Sequence, residues 1–307
     1  MDGAAGPVSP PVGAVAADVV PLAELVAAKG GARISVCLPA RDEAATVGAI
    51  VAAVVEQLVE RHGLVDEVVV VDDASTDDTA ATARRAGARV LAAREVLAGC
   101  GPATGKGEAM WKSVAGCSGE LIVWCDADIR NFDPRFVTGL LGPLLSDPSV
   151  QFVKGCYRRD LDGRLGEGGR VTELVARPLL NLLFPHLANF AQPLAGECAG
   201  RRGLLEQLSF APGYGVDLGL LVDVAAVSGV GTMSQVDLGQ RSHRNRPLHE
   251  LAAQAEAVMA TALALADIAR GRGTEASRHG WRPPLVEVPA YRDRGRPPAL
   301  RRRPNSS

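Results

Sequence analysis

The stretch Leu121-Ile122-Val123-Trp124-Cys125-Asp126-Ala127-Asp128 joins an apolar run to two acids separated by one residue. A short uninterrupted apolar run predicts a strand buried on both faces, and the acids follow where that strand ends. In an extended segment residues i and i+2 point to the same side, so both carboxylates can face one ion. Magnesium and manganese prefer such oxygen ligands. The pattern favours a metal site over the alternative that both acids cap the helix near Asp133.

Apolar runs and helical patterns alternate on both sides of this stretch. The predicted strands are residues 34–38, 67–71, 88–91, 121–125 and 150–157, and the predicted helices are residues 46–62, 77–86, 107–115 and 134–145. This alternation is typical of an α/β domain with a mostly parallel sheet flanked by helices. Ligands bind such sheets beyond the carboxyl ends of the strands, so the turns that follow the strands are where chemistry is expected.

Composition limits the class of protein. The chain has 307 residues, of which 47% are hydrophobic, 4% aromatic and 22% charged, and this indicates a globular protein with an aliphatic core. A formal net charge of −2 supplies no field that would attract nucleic acid or an anionic membrane, so neither partner is expected. The apolar windows carry interior acids, which predicts no membrane helix, and the N-terminus lacks the charged region of a secretory signal. The scattered cysteines predict free thiols and a cytoplasmic location.

The same reading divides the chain into one domain and two tails. We expect a disordered N-terminal tail over residues 1–30, one domain over residues 31–270, and an Arg- and Pro-rich C-terminal tail over residues 271–307. Within the domain, residues 31–157 would form one half and residues 158–270 the other. The basic C-terminal residues could form a docking arm, although a solvated charge run is the commoner case.

Two polar turns follow the first two predicted strands. Residues 39–43 read Pro-Ala-Arg-Asp-Glu, and residues 72–78 read Asp-Asp-Ala-Ser-Thr-Asp-Asp. Turns at the same end of adjacent strands can hydrogen-bond the base and ribose of a nucleotide. Either turn alone could equally cap a helix, because Asp42 precedes one predicted helix and Ser75 with Asp78 resembles a capping box. Together they favour a ligand-binding edge.

A glycine-rich loop occupies residues 99–107, Gly-Cys-Gly-Pro-Ala-Thr-Gly-Lys-Gly. It is not a Walker A loop, because Cys100 stands at the first glycine position and Gly107 at the position of the hydroxyl that binds magnesium. The dinucleotide pattern G-x-G-x-x-G is also missing after the first strand. What remains is a loop that brings Lys106 to a helix N-terminus, where a cation and backbone N–H groups suit a pyrophosphate.

Two further patterns are open at this stage. Residues 166–173, Gly-Glu-Gly-Gly-Arg-Val-Thr-Glu, open an apolar helical run, and they indicate either an anion site or only a well-capped helix. His243 lies among basic residues, which oppose its protonation and favour the neutral form that binds metals. A single histidine in a basic loop more often has no such role.

The order of strand, acid-rich turn, Gly-Lys loop and acid pair resembles the GT-A nucleotide-sugar glycosyltransferases. More specifically, five strings spread over roughly residues 33–270 resemble the glucosyl-3-phosphoglycerate synthases: TGKGEAMWKS (104–113), VKGCYRRDL (153–161), GGRVTELVARPLL (168–180), FAPGYGV (210–216) and HRNRPL (243–248). The resemblance implies a GT-A fold with a C-terminal acceptor-side subregion. Residues 31–157 would be the nucleotide-sugar half and residues 158–270 the acceptor half. The resemblance further implies metal-dependent, retaining transfer of glucose from UDP-glucose to the 2-hydroxyl of 3-phosphoglycerate by a cytoplasmic homodimer.

The resemblance also implies roles for single residues. Asp128 and His243 would be the protein ligands of the divalent metal, magnesium or manganese. Asp217 would face the glucose, and it is given the catalytic position without a covalent role. The residues that would bind the donor are Pro39, Ala40, Arg41, Asp42, Glu43, Asp73, Lys106, Asp126, Ala127, Tyr214, Arg241 and Arg246. The residues that would bind the acceptor are Gly169, Arg170, Val171, Thr172 and Asn245.

Two positions depart from the family's usual pattern. Asp73 stands where the family usually has Ser, and Asp217 where it usually has Glu. A shorter acid can change which sugar fits, since an unpaired buried polar group costs about 1 to 3 kcal/mol. One alternative is therefore a related transferase with another nucleotide sugar or another small phosphorylated or carboxylated acceptor. Two others are a transferase that acts on a lipid phosphate and a non-catalytic nucleotide-sugar binding protein.

Overall fold

The computed structural model describes residues 14–17, 19–102, 104–159, 169–241, 251–273 and 275–293. Strands of these residues form one eight-stranded sheet in the order β1-β8-β6-β7-β5-β2-β3-β4. They are β1 Ala14–Ala16, β2 Ile34–Ala40, β3 Glu67–Asp72, β4 Arg89–Ala92, β5 Leu121–Trp124, β6 Phe152–Arg159, β7 Cys198–Arg201 and β8 Met233–Arg241. Only β7 runs antiparallel to its neighbours, so the predicted α/β class with a mostly parallel sheet is confirmed for the described residues.

Helices cover both faces of the sheet. The α-helices are α1 Leu22–Lys29, α2 Val47–Val54, α3 Thr79–Arg85, α4 Lys106–Gly116, α5 Arg135–Ser146, α6 Arg177–Leu183, α7 Arg202–Leu205, α8 Val216–Ser228, α9 Leu251–Ala269 and α10 Pro289–Arg292. A π-helical turn, Val55–Arg61, continues α2, and another, Thr172–Ala176, leads into α6. One apolar core lies between the sheet and helices α1, α2, α3 and α5. A second core joins the opposite face to α4, α7 and α8, and a third packs α6, α8 and α9 together.

Every predicted strand and helix is present, and the observed ends differ by at most about two residues, as is normal for element boundaries. Strands β2, β3 and β5 read correctly because they are short, mostly apolar runs buried on both faces. Strand β7 was not predicted. It has only the sequence Cys-Ala-Gly-Arg, which contains no β-branched residue, and it forms a strand because β5 and β6 pair with it on either side.

The prediction of a tail over residues 1–30 is wrong for residues 14–30. Strand β1 pairs in parallel with β8 and extends the sheet by one strand. Helix α1 packs against α5, and its Leu25 is 1% exposed. Lys29 fixes the end of this helix by an ion pair of 2.8 Å with Asp66 and a hydrogen bond of 2.9 Å to the Gly63 carbonyl. Residues 14–30 are rich in Ala and lack hydrophobic periodicity. Their position in the fold therefore depends on these contacts with residues distant in the sequence.

The prediction of a tail over residues 271–307 is also wrong where the structure describes that range. The backbone of Arg282 pairs with Phe210, and helix α10 follows at Pro289–Arg292. Leu285 and Val288 are 0% and 5% exposed and belong to the core beneath α4. Residues 281–291 are called the C-terminal strap below.

Helix α9 is, among the described residues, the one helix long and apolar enough to cross a membrane, and 28% of its 18-residue window is buried. The interior acids Glu256 and Asp267 leave α9 apolar enough to span a membrane by composition. The sequence argument that these acids exclude a membrane helix is therefore wrong for its composition. Its buried side chains, among them Val258, Ala262 and Leu265, pack against α6 and α8. In the fold, α9 is a layer of the third core.

Candidate active site

A cavity of about 540 Å³ opens at the carboxyl ends of β2, β3 and β5. All predicted site residues that the structure describes line it: Pro39, Ala40, Arg41, Asp42, Glu43, Asp73, Lys106, Asp126, Ala127, Asp128, Gly169, Arg170, Val171, Thr172, Tyr214, Asp217 and Arg241. His243, Asn245 and Arg246 lie outside the described residues. The structure therefore brings the described positions together, while the role of each remains a prediction.

Lys106, the first residue of α4, lies between two carboxylates. Its Nζ is 2.9 Å from Asp126 Oδ1 and 3.0 Å from Asp217 Oδ2. Burial alone lowers the pKa of Lys106, but the two carboxylates raise it well above its ordinary value, so the side chain is protonated at neutral pH. Asp217 is 5% exposed, and its other oxygen, Oδ1, has no hydrogen-bond partner among the described residues. A buried acceptor beside a cavity is suited to a hydroxyl donor of a ligand.

Arg241, at the end of β8, binds the acid pair from the other side. Its Nη2 lies 2.8 Å from Asp126 Oδ2 and 2.9 Å from Asp128 Oδ1. Behind it, Nε forms an ion pair of 3.3 Å with the fully buried Glu197, and Nη1 donates to the Tyr157 hydroxyl at 3.1 Å. Burial lowers the pKa of Arg241, yet Glu197 and the other partners raise it far above its usual value. The guanidinium is thus a fixed charge next to the acid pair.

The acid pair fits an oxygen-preferring divalent cation. A single cationic nitrogen of Arg241 contacts both carboxylates, so Asp126 and Asp128 do converge on one positive charge, as their spacing predicts. Their side chains are 23% and 31% exposed toward the cavity. Helix α5 has its own cap, because Asp133 Oδ1 accepts the Arg135 N–H at 2.8 Å. The described residues contain no cluster of three His, Cys, Asp or Glu side chains, and the predicted ligand His243 lies outside them.

The two acid-rich turns are joined to each other. Thr76 N–H donates to Asp42 Oδ1 at 2.6 Å, and the Asp42 N–H donates to the Ser75 hydroxyl at 3.0 Å. Asp77 accepts the N–H groups of Thr79 at 2.9 Å and of Ala44 at 3.1 Å. Capping and a ligand edge are therefore not exclusive. Asp77 accepts the N–H of Thr79, the first residue of α3, whereas Asp42 and its neighbours line the cavity.

Asp73 holds the glycine-rich loop. Its Oδ2 accepts the Gly105 N–H at 2.7 Å and lies 3.7 Å from Arg41. Burial raises the pKa of Asp73, although the Gly105 N–H and Arg41 oppose that rise. Gly105 has a φ of +102°, which glycine adopts at little cost, and it directly precedes Lys106. The loop thus enters α4 at a fixed point.

The opposite wall of the cavity is the start of the helical run at Thr172. Gly169 has a φ of +81°, and its carbonyl accepts the Glu173 N–H at 3.0 Å. Thr172 is 1% exposed, and Arg170 is half-buried at the cavity. The N–H groups of a helical first turn beside an Arg and a Thr suit an anion.

Sequence reasoning missed several residues of this site. Glu197 lies behind Arg241, and Gly196 leaves room for Asp126, since a Cβ there would lie 2.2 Å from the Asp126 carboxylate. Gln254 on α9 also lines the cavity. An acid inside the apolar run of residues 194–199 was the one available signal for Glu197, because a buried acid needs a partner.

Known proteins resemble this chain over most of its length. The Glycosyl transferase family 2 profile matches residues 35–207. The glucosyl-3-phosphoglycerate synthase of Mycolicibacterium smegmatis is 49% identical over 246 residues, which cover 79% of this chain and 80% of that protein.

Two solved structures share the fold. The glucosyl-3-phosphoglycerate synthase of Mycobacterium tuberculosis, crystallised with Mn²⁺, UDP-glucose and phosphoglyceric acid, has a TM-score of 0.78 and 43% identity, and covers 87% of this chain and 95% of that one. The mannosyl-3-phosphoglycerate synthase of Rubrobacter xylanophilus has a TM-score of 0.81 and 38% identity, and covers 90% of this chain and 97% of that one. The predicted GT-A fold is thereby confirmed. This chain belongs to the glucosyl-3-phosphoglycerate synthase family within the family 2 glycosyltransferases.

Proposed function

We propose that this protein is a metal-dependent hexosyltransferase that moves glucose from UDP-glucose to the 2-hydroxyl of 3-phosphoglycerate. The observation that carries the proposal is the single cavity, which joins the Lys106 and acid-pair edge to the loop of residues 169–172. A nucleotide diphosphate with its metal suits the first wall, and a small anionic acceptor suits the second. The curated relatives named as glucosyl-3-phosphoglycerate synthases support this assignment.

On the donor side, protonated Lys106 and the N-terminus of α4 offer positive charge to a diphosphate. The joined turns at residues 39–43 and 72–78 would hold the uridine and ribose. A divalent cation held by Asp128 and His243 would supply Lewis-acid stabilisation of the departing diphosphate. Arg241, with Glu197 and Tyr157 behind it, keeps a permanent positive charge beside that position.

On the acceptor side, Arg170, Thr172 and the first-turn N–H groups would hold the phosphate and carboxylate of 3-phosphoglycerate, together with Asn245. The glycine at position 169 lets the backbone turn toward the ligand. Fixing the acceptor against the donor converts a bimolecular reaction into one within a complex, which supplies much of the catalysis.

We further propose that transfer proceeds with retention, by displacement on the same face of the sugar. Such a step requires no enzyme nucleophile. Asp217 would accept a hydrogen bond from a sugar hydroxyl through its buried Oδ1, while Oδ2 stays paired with Lys106. The residue orients the sugar and has no covalent role.

A second candidate is transfer of mannose or another hexose to the same acceptor. One observation favours it: the mannosyl-3-phosphoglycerate synthase of Rubrobacter xylanophilus has a TM-score of 0.81 to this chain. The resemblance implies a Glu where this chain has Asp217, and that expected departure agrees with this candidate. A panel of nucleotide sugars and acceptors, with products identified by mass spectrometry, separates the two candidates. No product with UDP-glucose and 3-phosphoglycerate would refute the first proposal, and no product with any donor would favour a binding protein.

We propose a cytoplasmic homodimer as the working form. All six cysteines are free thiols, which a reducing compartment preserves. Leu174, Leu182, Met259 and Leu263 are large apolar side chains exposed on the layer of α6 and α9, as expected of a subunit contact. Sedimentation velocity of the full chain checks the state, and a monomer at micromolar concentration would contradict it.

Replacing the predicted metal ligand should weaken metal binding. We expect His243→Ala to raise the metal concentration for half-maximal activity by more than about 100-fold, since loss of outer-shell partners alone costs about 10- to 100-fold. The matched control is His249→Ala, the other histidine of that segment, which should keep the wild-type metal response. Equal metal responses of His243→Ala and wild type would remove the residue from the metal site.

Replacing Arg170 should affect the acceptor and not the donor. A charge-assisted hydrogen bond is worth about 1.5 to 3 kcal/mol, so Arg170→Ala should raise the acceptor KM about ten- to a hundredfold. The control is Arg177→Ala, which removes a 2.9 Å pair with Glu173 on the same helical run but lines no part of the cavity. Parallel rises in both substrate KM values, or equal use of unphosphorylated glycerate, would exclude a phosphate-binding role.

Lengthening Asp217 tests which sugar the pocket reads. If glucose is the native donor, Asp217→Glu should sharpen the preference for glucose by roughly fivefold, because one better hydrogen bond is worth about 1 kcal/mol. If the pocket suits another hexose, the same change should impair the enzyme. The control is Asp223→Glu, a buried acid of the same helix outside the cavity. An unchanged donor profile in Asp217→Glu would show that Asp217 does not contact the sugar.

A further inference from the structure

Arg282 of the C-terminal strap binds two elements that lead to Lys106. Its guanidinium pairs with both carboxylate oxygens of Glu108, one of them at 2.9 Å. Its Nη1 donates to the Cys100 carbonyl at 2.5 Å, and its Nη2 donates to the Gly101 carbonyl at 2.9 Å. Glu108 lies two residues after Lys106, and the two carbonyls belong to the loop that precedes it. The Arg282 side chain thus contacts the chain both before and after Lys106.

The backbone of the same residue binds a third element. Arg282 N–H donates to the Phe210 carbonyl, and Phe210 N–H donates to the Arg282 carbonyl, each at 2.9 Å. Phe210 begins the segment 210–217, which leads to Asp217 in the cavity. Arg282 therefore joins the three segments that deliver the Lys106–Asp217 ion pair, although it lines no part of the cavity.

The segments that Arg282 joins are closely packed. A Cβ added to Gly107 would lie 1.9 Å from the Ala211 carbonyl oxygen, so α4 and the segment 210–217 are already in close contact. The strap is itself fixed, because Trp111 Nε1 donates to the Pro283 carbonyl at 2.8 Å. Arg282 lies over the Trp111 ring, 5.4 Å from its centroid. A shift of the strap at Arg282 would move α4 and segment 210–217 relative to each other.

We propose that Arg282 is a positioning residue for the donor site, which sets the separation of Lys106 and Asp217 and the path of the loop at residues 99–102. This inference rests on the proposed function, because it assumes that Lys106 faces a nucleoside diphosphate. The C-terminal strap then contributes to donor binding through Arg282. Loss of Arg282 leaves no isolated buried acid, because Glu108 keeps its 3.0 Å ion pair with Lys112. The fold should therefore persist without it.

The test is binding of UDP with Mn²⁺ to the full-length chain, measured by titration calorimetry, together with both substrate KM values. Arg282→Gln should weaken UDP binding and raise the donor KM by about tenfold or more, with the acceptor KM within about twofold, since displacement of positioning groups by 1 Å can cost up to about 100-fold. Arg282→Lys retains the charge at Glu108 but cannot reach both carbonyls. It should keep the wild-type melting temperature and show an intermediate UDP affinity.

The control is Arg278→Gln, which removes a 2.9 Å pair with Asp223 and a contact with the Trp281 ring but touches none of the three segments. It should lower the melting temperature without changing UDP affinity. Wild-type UDP affinity in both Arg282 variants, or equal losses of donor and acceptor binding as in a general destabilisation, would overturn the positioning role while the proposed function stands. Absence of UDP binding by the wild-type chain would overturn both.

Discussion

The fold around the cavity depends on two buried cations that share one acid. Lys106 pairs with Asp126 and Asp217, and Arg241 pairs with Asp126, Asp128 and Glu197. Charges removed from water are stable only with partners in good geometry, so the elements that carry these groups must meet at one point. Those elements are α4, α8, the ends of β5 and β8, and the start of β7. The position of each is therefore coupled to the others through Asp126.

This constraint explains why two positions near the site are glycine. Gly196 lies against the Asp126 carboxylate, and Gly107 lies against the Ala211 carbonyl. Any larger residue would separate an acid from its cation or α4 from the segment before α8. Burial lowers the pKa of Lys106, but the carboxylates of Asp126 and Asp217 on either side of it raise that pKa above its ordinary value. Close backbone packing and charge pairing thus act on the same few residues of the site.

The sequence predicted those parts of the structure that depend on neighbours along the chain. Strand β5 and the acid pair after it could be read because apolar runs and i, i+2 spacing are local patterns. Helix α1 and the C-terminal strap could not, since Lys29 pairs with Asp66 and Arg282 with Glu108 across long stretches of sequence. Glu197 was missed for the same reason, because its ion-pair partner Arg241 lies on another strand. Local sequence patterns thus predicted the inner strands of the sheet. Helix α1, the C-terminal strap and the role of Glu197 depend instead on charge pairs between residues far apart in the sequence.

The two departures from the family pattern act on the same loop. Asp73 accepts the Gly105 N–H, and Asp217 pairs with Lys106, the next residue. A Ser at the first position could accept that hydrogen bond without bringing a second buried charge, whereas Asp73 also approaches Arg41 at 3.7 Å. Asp217 is one methylene shorter than a Glu, and its Oδ2 lies 3.0 Å from Lys106 Nζ. Both positions therefore bear on where Lys106 lies and, in the proposed function, on how the diphosphate and the sugar would share one cation.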